Sequence, residues 1–131
     1  MREQFIEQMK EKLDQVLRTY LKKEGVEVYL ALNDNYISPV HPAVFLHAID
    51  HTPLEGKHLL QEIHIILDIL GKPGQCDELI EGIYQALQPH QLSSCELSVL
   101  LMSVHVEIVP CDLPLHCARK RTMLRYLLEA A

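Results

Sequence analysis

Cys111, His116 and Cys117 fall within seven residues, the densest group of soft metal ligands in the chain. A structural zinc site needs four such ligands in a tetrahedron, and no second C-x-x-C or H-x-x-x-H pair stands where it could complete one. His47 and His51 have the four-residue spacing that aligns two imidazoles on a helix, but the segment AVFLHAID around them is strand-prone and Pro53 follows. His64 and His105 are expected in strands, hydrogen-bonded or facing solvent. Ser93, Ser94 and Cys95 offer nucleophiles without a base at a recognisable spacing, and G-x-S-x-G is absent. Both phosphate-loop patterns, G-x-x-x-x-G-K-[ST] and G-x-G-x-x-G, are absent as well. Glu62 and Asp68 share one face of a predicted strand, but six residues at strand rise separate them by about 20 Å, too far for an acid–base pair. The chain is therefore expected to be no enzyme and to hold no metal and no cofactor.

The charges are more informative. Residues 1–25 carry six Lys/Arg against five Asp/Glu, residues 26–116 carry two against twelve, and residues 117–131 carry four against one. The net charge of −6 thus hides a strongly acidic middle and a basic end. On a strand, Arg119, Arg121 and Arg125 point one way, while Lys120 points the other with Leu124 and Tyr126. Three arginines without interleaved aromatics are too few for a single-strand nucleic-acid platform, and an acidic body opposes counterion release from DNA. No sequence-specific nucleic-acid binding is expected. Two readings remain: a solvated, charge-protected strand, or an arginine row that meets acidic residues of another copy, with Glu62, Asp68 and Glu107 as the candidate subunit-interface partners. Such a contact between unlike patches is head-to-tail, the kind that closes rings.

A chain of 131 residues suits a single domain, 1–131, with 48% apolar and 23% charged residues, near the averages for globular proteins. No apolar run is long enough to span a bilayer, so no membrane partner is expected. The first residues, MREQFIEQMKEK, lack the apolar block of an export signal. A cytoplasmic location follows as the expectation, with four reduced cysteines acting as small apolar residues.

The elements that must position these residues can be read in order. Phe5, Ile6, Met9, Leu13, Val16, Leu17, Tyr20 and Leu21 recur at three- and four-residue steps, which predicts a helix from Met1 to Glu24 stopped by Gly25. VEVYLAL, Val26 to Leu32, predicts a short strand; Tyr36 to His41 predicts loop or edge; Ala43 to Asp50 predicts a second strand, and HTPLEGK a loop. In HLLQEIHIILDIL, Ile63, Ile65, Leu67 and Ile69 alternate with Glu62, His64 and Asp68, with Ile66 breaking the polar face and hinting at a second covered surface. GKPG predicts a turn, then a helix capped by Asp77 with Leu79, Ile80, Ile83, Tyr84 and Leu87 on one stripe and Pro89 ending it. Cys95 to Val109 has apolar residues at both parities, which a bulge between Leu101 and Ser103 would reconcile. Cys117 to Leu128 predicts the last strand. The fold class is α+β: a mainly antiparallel sheet of four to five strands with two helices on one face.

In this order the chain resembles the tail-completion or tail-terminator proteins of long-tailed bacteriophages, minor tail proteins that join head and tail. The likeness rests on the stretch HLLQEIHIILDILGKPGQCDELIEGIYQAL, an alternating strand, G-x-P-G turn and helix ending in A-L, followed by a long strand and the arginine-bearing ARKRTMLRYLL. It covers most of the chain from about Leu54. The resemblance implies a homo-oligomeric ring, a hexamer, that caps the tail tube, with the tail tube protein and the head connector protein as partners. It also implies a place in the virion tail after assembly in the host cytoplasm. The alternative is a non-catalytic adaptor that binds a protein partner through the apolar stripe of its first helix. A metal enzyme built on Cys111, His116 and Cys117 would need a pocket joining them to a further ligand.

Overall fold

The computed structural model describes residues 3–29, 42–53, 60–94, 97–110 and 117–130. The element order is α1 (Glu3–Lys23), β1 (Glu27–Tyr29), β2 (Ala43–Pro53), β3 (Leu60–Gly71), α2 (Pro73–Ala86), α3 (Pro89–Leu92), β4 (Leu97–Ile108) and β5 (Ala118–Ala130). The five strands form one sheet in the order β1-β2-β3-β5-β4, with β1 parallel to β2 and the other neighbours antiparallel. This is the expected α+β class.

The first helix forms where the periodicity predicts it. Ile6, Met9, Leu13, Leu17 and Leu21 lie on one side and are all buried. Gly25 stops the helix at φ 72°, and the amides of Val26 and Gly25 donate to the carbonyls of Leu21 and Lys22 at 2.8 and 3.1 Å. These two bonds satisfy carbonyls that the helix leaves open, and Val26 continues into the core beside Leu21.

The second helix starts one turn earlier than the sequence suggests. Lys72 is the N-cap and Pro73 the first helical residue, a position where its fixed φ fits and its missing N–H costs nothing. The Gln75 side-chain oxygen accepts from the Lys72 amide at 3.2 Å, so Asp77 is not the cap. Pro89 does end α2, but by opening the short α3, which the sequence reading did not anticipate. Strand β2 also outruns its prediction. His51, Thr52 and Pro53 pair with Ile63, Glu62 and Gln61, and proline is accommodated there because β1 pairs with β2 only as far as Phe45. Of Val26 to Leu32, only Glu27–Tyr29 is strand among the described residues; the predicted loop at Tyr36 to His41 lies outside them.

One face of the sheet carries the core. Ile63, Ile65, Leu67 and Ile69 of β3, Leu124, Tyr126 and Leu128 of β5, Leu97 and Val99 of β4, and Val44 and Leu46 of β2 pack with both long helices. Full burial of each large aliphatic side chain contributes roughly 1.5–3 kcal/mol. A register shift between Leu101 and Ser103, as the parity change predicts, lets Leu101 and Val104 both stand opposite helix-side residues of β5, Tyr126 and Leu124.

Candidate interaction surface

The face of the sheet turned away from the helices gathers the charged residues singled out in the sequence. Register explains how. Leu70, Asp68, His64 and Glu62 of β3 stand opposite Arg119, Arg121, Arg125 and Leu127 of β5, and Glu107 of β4 stands opposite Arg121. All six candidate interface residues, Glu62, Asp68, Glu107, Arg119, Arg121 and Arg125, therefore share one surface.

Asp68 is the centre of that surface, and its side chain is fully buried. Arg121 donates from Nε to Oδ1 at 2.8 Å and from Nη2 to Oδ2 at 3.2 Å, a two-pronged grip. Arg119 Nε donates to Oδ2 at 2.5 Å, and His47 Nε2 lies 3.0 Å from the same oxygen. Burial pushes the Asp68 carboxyl up, but the hydrogen bonds from Arg121, His47 and Arg119 outweigh it and hold the group below its ordinary range. Phe45 and Leu70 are buried on the same side of the sheet, so this end of the second face is covered. Ile66, at its centre, is half-buried.

Glu62 and Arg125 form a second pair. The Arg125 hydrogen bond lowers the Glu62 carboxyl against its own desolvation, while Glu62 in turn raises the Arg125 guanidinium. Lys120 points to the helix side as its parity requires and reaches Asp77 at 2.5 Å, tying the last strand to α2.

The arginine row is expected to find acids on another copy; within the chain its members already pair with Asp68 and Glu62. Asp68 stands directly opposite Arg121 and diagonal to Arg119, and Glu62 diagonal to Arg125, so both acids reach arginines of their own chain. What the surface offers a partner is the outer part of these pairs: Arg121 and Arg125 remain 33% and 46% exposed. Two guanidiniums share the Asp68 carboxylate, with Glu107 standing opposite Arg121, so arginines and acids are matched in number on this face.

Sequence reasoning missed His47. Its spacing from His51 points only to a metal-ligand pair, whereas a register shift between Leu46 and Ala48 interrupts the alternation beside it and its ring reaches Asp68. No sequence signal marks a bulge there. The burial of Asp68 did leave a trace: an acid in an almost unbroken aliphatic strand requires a cationic partner. His64 lies 3.9 Å from Asp50 and His105 3.7 Å from Glu107, both on the outer face. Among the described residues no group of three His, Cys, Asp or Glu side chains is placed to hold a metal ion; Cys111 and His116 lie outside them. No helix among those residues is long and apolar enough to cross a membrane.

No protein-family model matches the sequence, and no curated protein matches it. Among solved structures, a chain of the "Virion of native gene transfer agent (GTA) particle" is similar in fold, with a TM-score of 0.59 at 16% identity. The alignment covers 89% of this chain and 91% of that one.

Proposed function

We propose that the chain is a structural subunit of a long-tailed phage or phage-like particle, and that it works as a tail terminator. In this reading, copies assemble head-to-tail into a ring, a hexamer, that caps the tail tube and presents a surface to the head connector. One observation carries the reading: the fold is similar over nearly the whole of both chains to a component of a gene transfer agent virion. The arginine-bearing face supports it in a modified form. Ion pairs within the chain hold Arg121 and Arg125 in fixed positions, so a neighbour would meet preorganised guanidiniums and carboxylates without ordering long side chains first. The adaptor reading has no such support, because the apolar stripe of α1 is spent on the core: Leu13, Leu17 and Leu21 are fully buried.

Electron microscopy of the purified protein, with sedimentation velocity at low and high salt, tests the proposal. Rings that weaken at high salt are expected, since exposed charges are screened beyond about 10 Å at 0.1 M salt. Charge reversal of both Arg121 and Arg125 should abolish the rings. A monomer at every concentration and at low ionic strength would remove the ring reading.

A further inference from the structure

Strand β4 is the last strand of the sheet, and no described strand lies on its outer side. Natural edges of this length are usually blunted by lysine, proline or a covering element. Between Ser103 and Ile108 this one has no lysine or proline, its one acid is Glu107, and no described strand pairs with it on the outer side. It is instead the place where large apolar side chains are exposed: Val104, Val106 and Ile108 are 40%, 44% and 74% accessible, on the helix side of the sheet beyond the reach of the helices.

The backbone of this segment is aimed outward at the same three residues. The Val109 amide donates inward to the Arg119 carbonyl at 2.9 Å. In an antiparallel ladder every second residue turns both backbone groups to its partner. Glu107 and His105 therefore face β5, opposite Arg121 and Met123, and Val104, Val106 and Ile108 present N–H and C=O to the open side.

We propose that this edge pairs with the same edge of a second copy, antiparallel, about a twofold axis through Val106. The sequence of the strand is self-complementary in this register and poor in its neighbours. Val106 stands opposite its own counterpart, and Val104 opposite Ile108 of the second copy, so all three outward backbone positions form hydrogen-bonded pairs and one apolar cluster covers the helix side. On the other face, His105 stands opposite Glu107 of the second copy, and Glu107 opposite its His105. A slip of one residue along one strand would set residues of opposite faces against each other, and a slip of two would set His105 against His105 or Glu107 against Glu107. A larger shift toward the amino end runs into the bulge at Leu101 to Ser103. This twofold contact closes on itself and differs from the head-to-tail contact a ring requires, so it stands or falls separately from the proposed function.

The test combines association and cross-linking. Val106→Lys sets two lysines against each other across the axis and should weaken dimerisation about tenfold or more, with an unchanged thermal melt of the monomer, since Val106 is already partly exposed. His105→Glu should also weaken it, and His105→Glu with Glu107→Lys should restore it. Val106→Cys should give a disulfide-linked dimer under mild oxidant where the wild type, with its native thiols, gives none. Cα atoms of a hydrogen-bonded pair are about 5.5 Å apart, within disulfide reach. A wild-type monomer at all concentrations, an oligomer indifferent to Val106→Lys, or no cross-link at position 106 would each overturn the proposal. Wild-type rings with no Val106→Lys-sensitive association and no cross-link at position 106 would sink this contact and keep the tail-terminator reading; a Val106→Lys-sensitive dimer that never forms rings would do the reverse.

Discussion

The phenol oxygen of Tyr20 on α1 occupies the space that a side chain at Gly82 of α2 would need: a Cβ built there would lie 1.6 Å from it and 2.4 Å from the ring carbon that bears it. Glycine in a helix interior sacrifices about 1 kcal/mol relative to alanine. Here the sacrifice lets α1 and α2 approach and lets Tyr20 lie between them. Burial and the nearby Glu24 raise the Tyr20 hydroxyl above its ordinary pKa.

Gly82→Ala is accordingly expected to lose stability despite the better helix former. Overpacking costs about 1–3 kcal/mol, against the gain of about 1 kcal/mol from propensity. With Tyr20→Ala already in place, the same substitution should become stabilising by about 1 kcal/mol. Urea denaturation of the four proteins in this cycle measures the reversal.

Asp68→Asn removes the one carboxylate shared by Arg119, Arg121 and His47. A buried pair broken from one side costs about 3 kcal/mol or more, because the surviving charge keeps its desolvation without its partner. Arg125→Ala touches a pair whose arginine is 46% exposed and should cost no more than about 1 kcal/mol. Chemical denaturation at neutral pH compares the two.

The depressed Asp68 carboxyl also sets a pH dependence with a definite sign. Its folded pKa lies below the unfolded value of about 3.9, so its stabilisation is complete above that value and is lost as pH falls through the folded pKa. Glu62, lowered by Arg125, adds in the same direction. Stability should therefore fall on acidification below about pH 4, more steeply in the wild type than in Asp68→Asn. Equal slopes in the two proteins would contradict the assignment.

Cys76 is fully buried, and desolvation, only partly offset by Lys120, pushes its thiol up to about 11. Its thiolate is scarce at pH 8, so alkylation of the folded protein should leave Cys76 unmodified while the half-buried Cys117 reacts. Peptide mapping after iodoacetamide, with and without denaturant, checks this.

Tyr126 donates its hydroxyl to the Leu87 carbonyl at 2.7 Å, joining the last strand to the end of α2 in the core. Tyr126→Phe keeps the ring and strands that carbonyl, at a cost of about 1–3 kcal/mol. A change within error would mean that the helix end relaxes to find another donor.

Local periodicity determined a large part of this protein. The apolar stripe of α1, the alternation in β3 and the parity change in β4 each state a face and a phase, because side-chain direction follows from backbone repeat alone. The stop at Gly25 and the bulge at Leu101 to Ser103 were legible for the same reason, and so was the common face of Arg119, Arg121 and Arg125. Strand order was not. Which strands neighbour β5 is decided by packing of distant segments, and that order placed Asp68 and Glu62 beside the arginines of their own chain. It also left β4 at the edge with Val104, Val106 and Ile108 uncovered. The bulge at His47 and the cap at Lys72 escaped the sequence because each depends on backbone geometry imposed from outside its own segment: a cross-strand shift in one, the exit of β3 into α2 in the other. A one-dimensional pattern specifies where a side chain points, and only the folded arrangement supplies what it meets there.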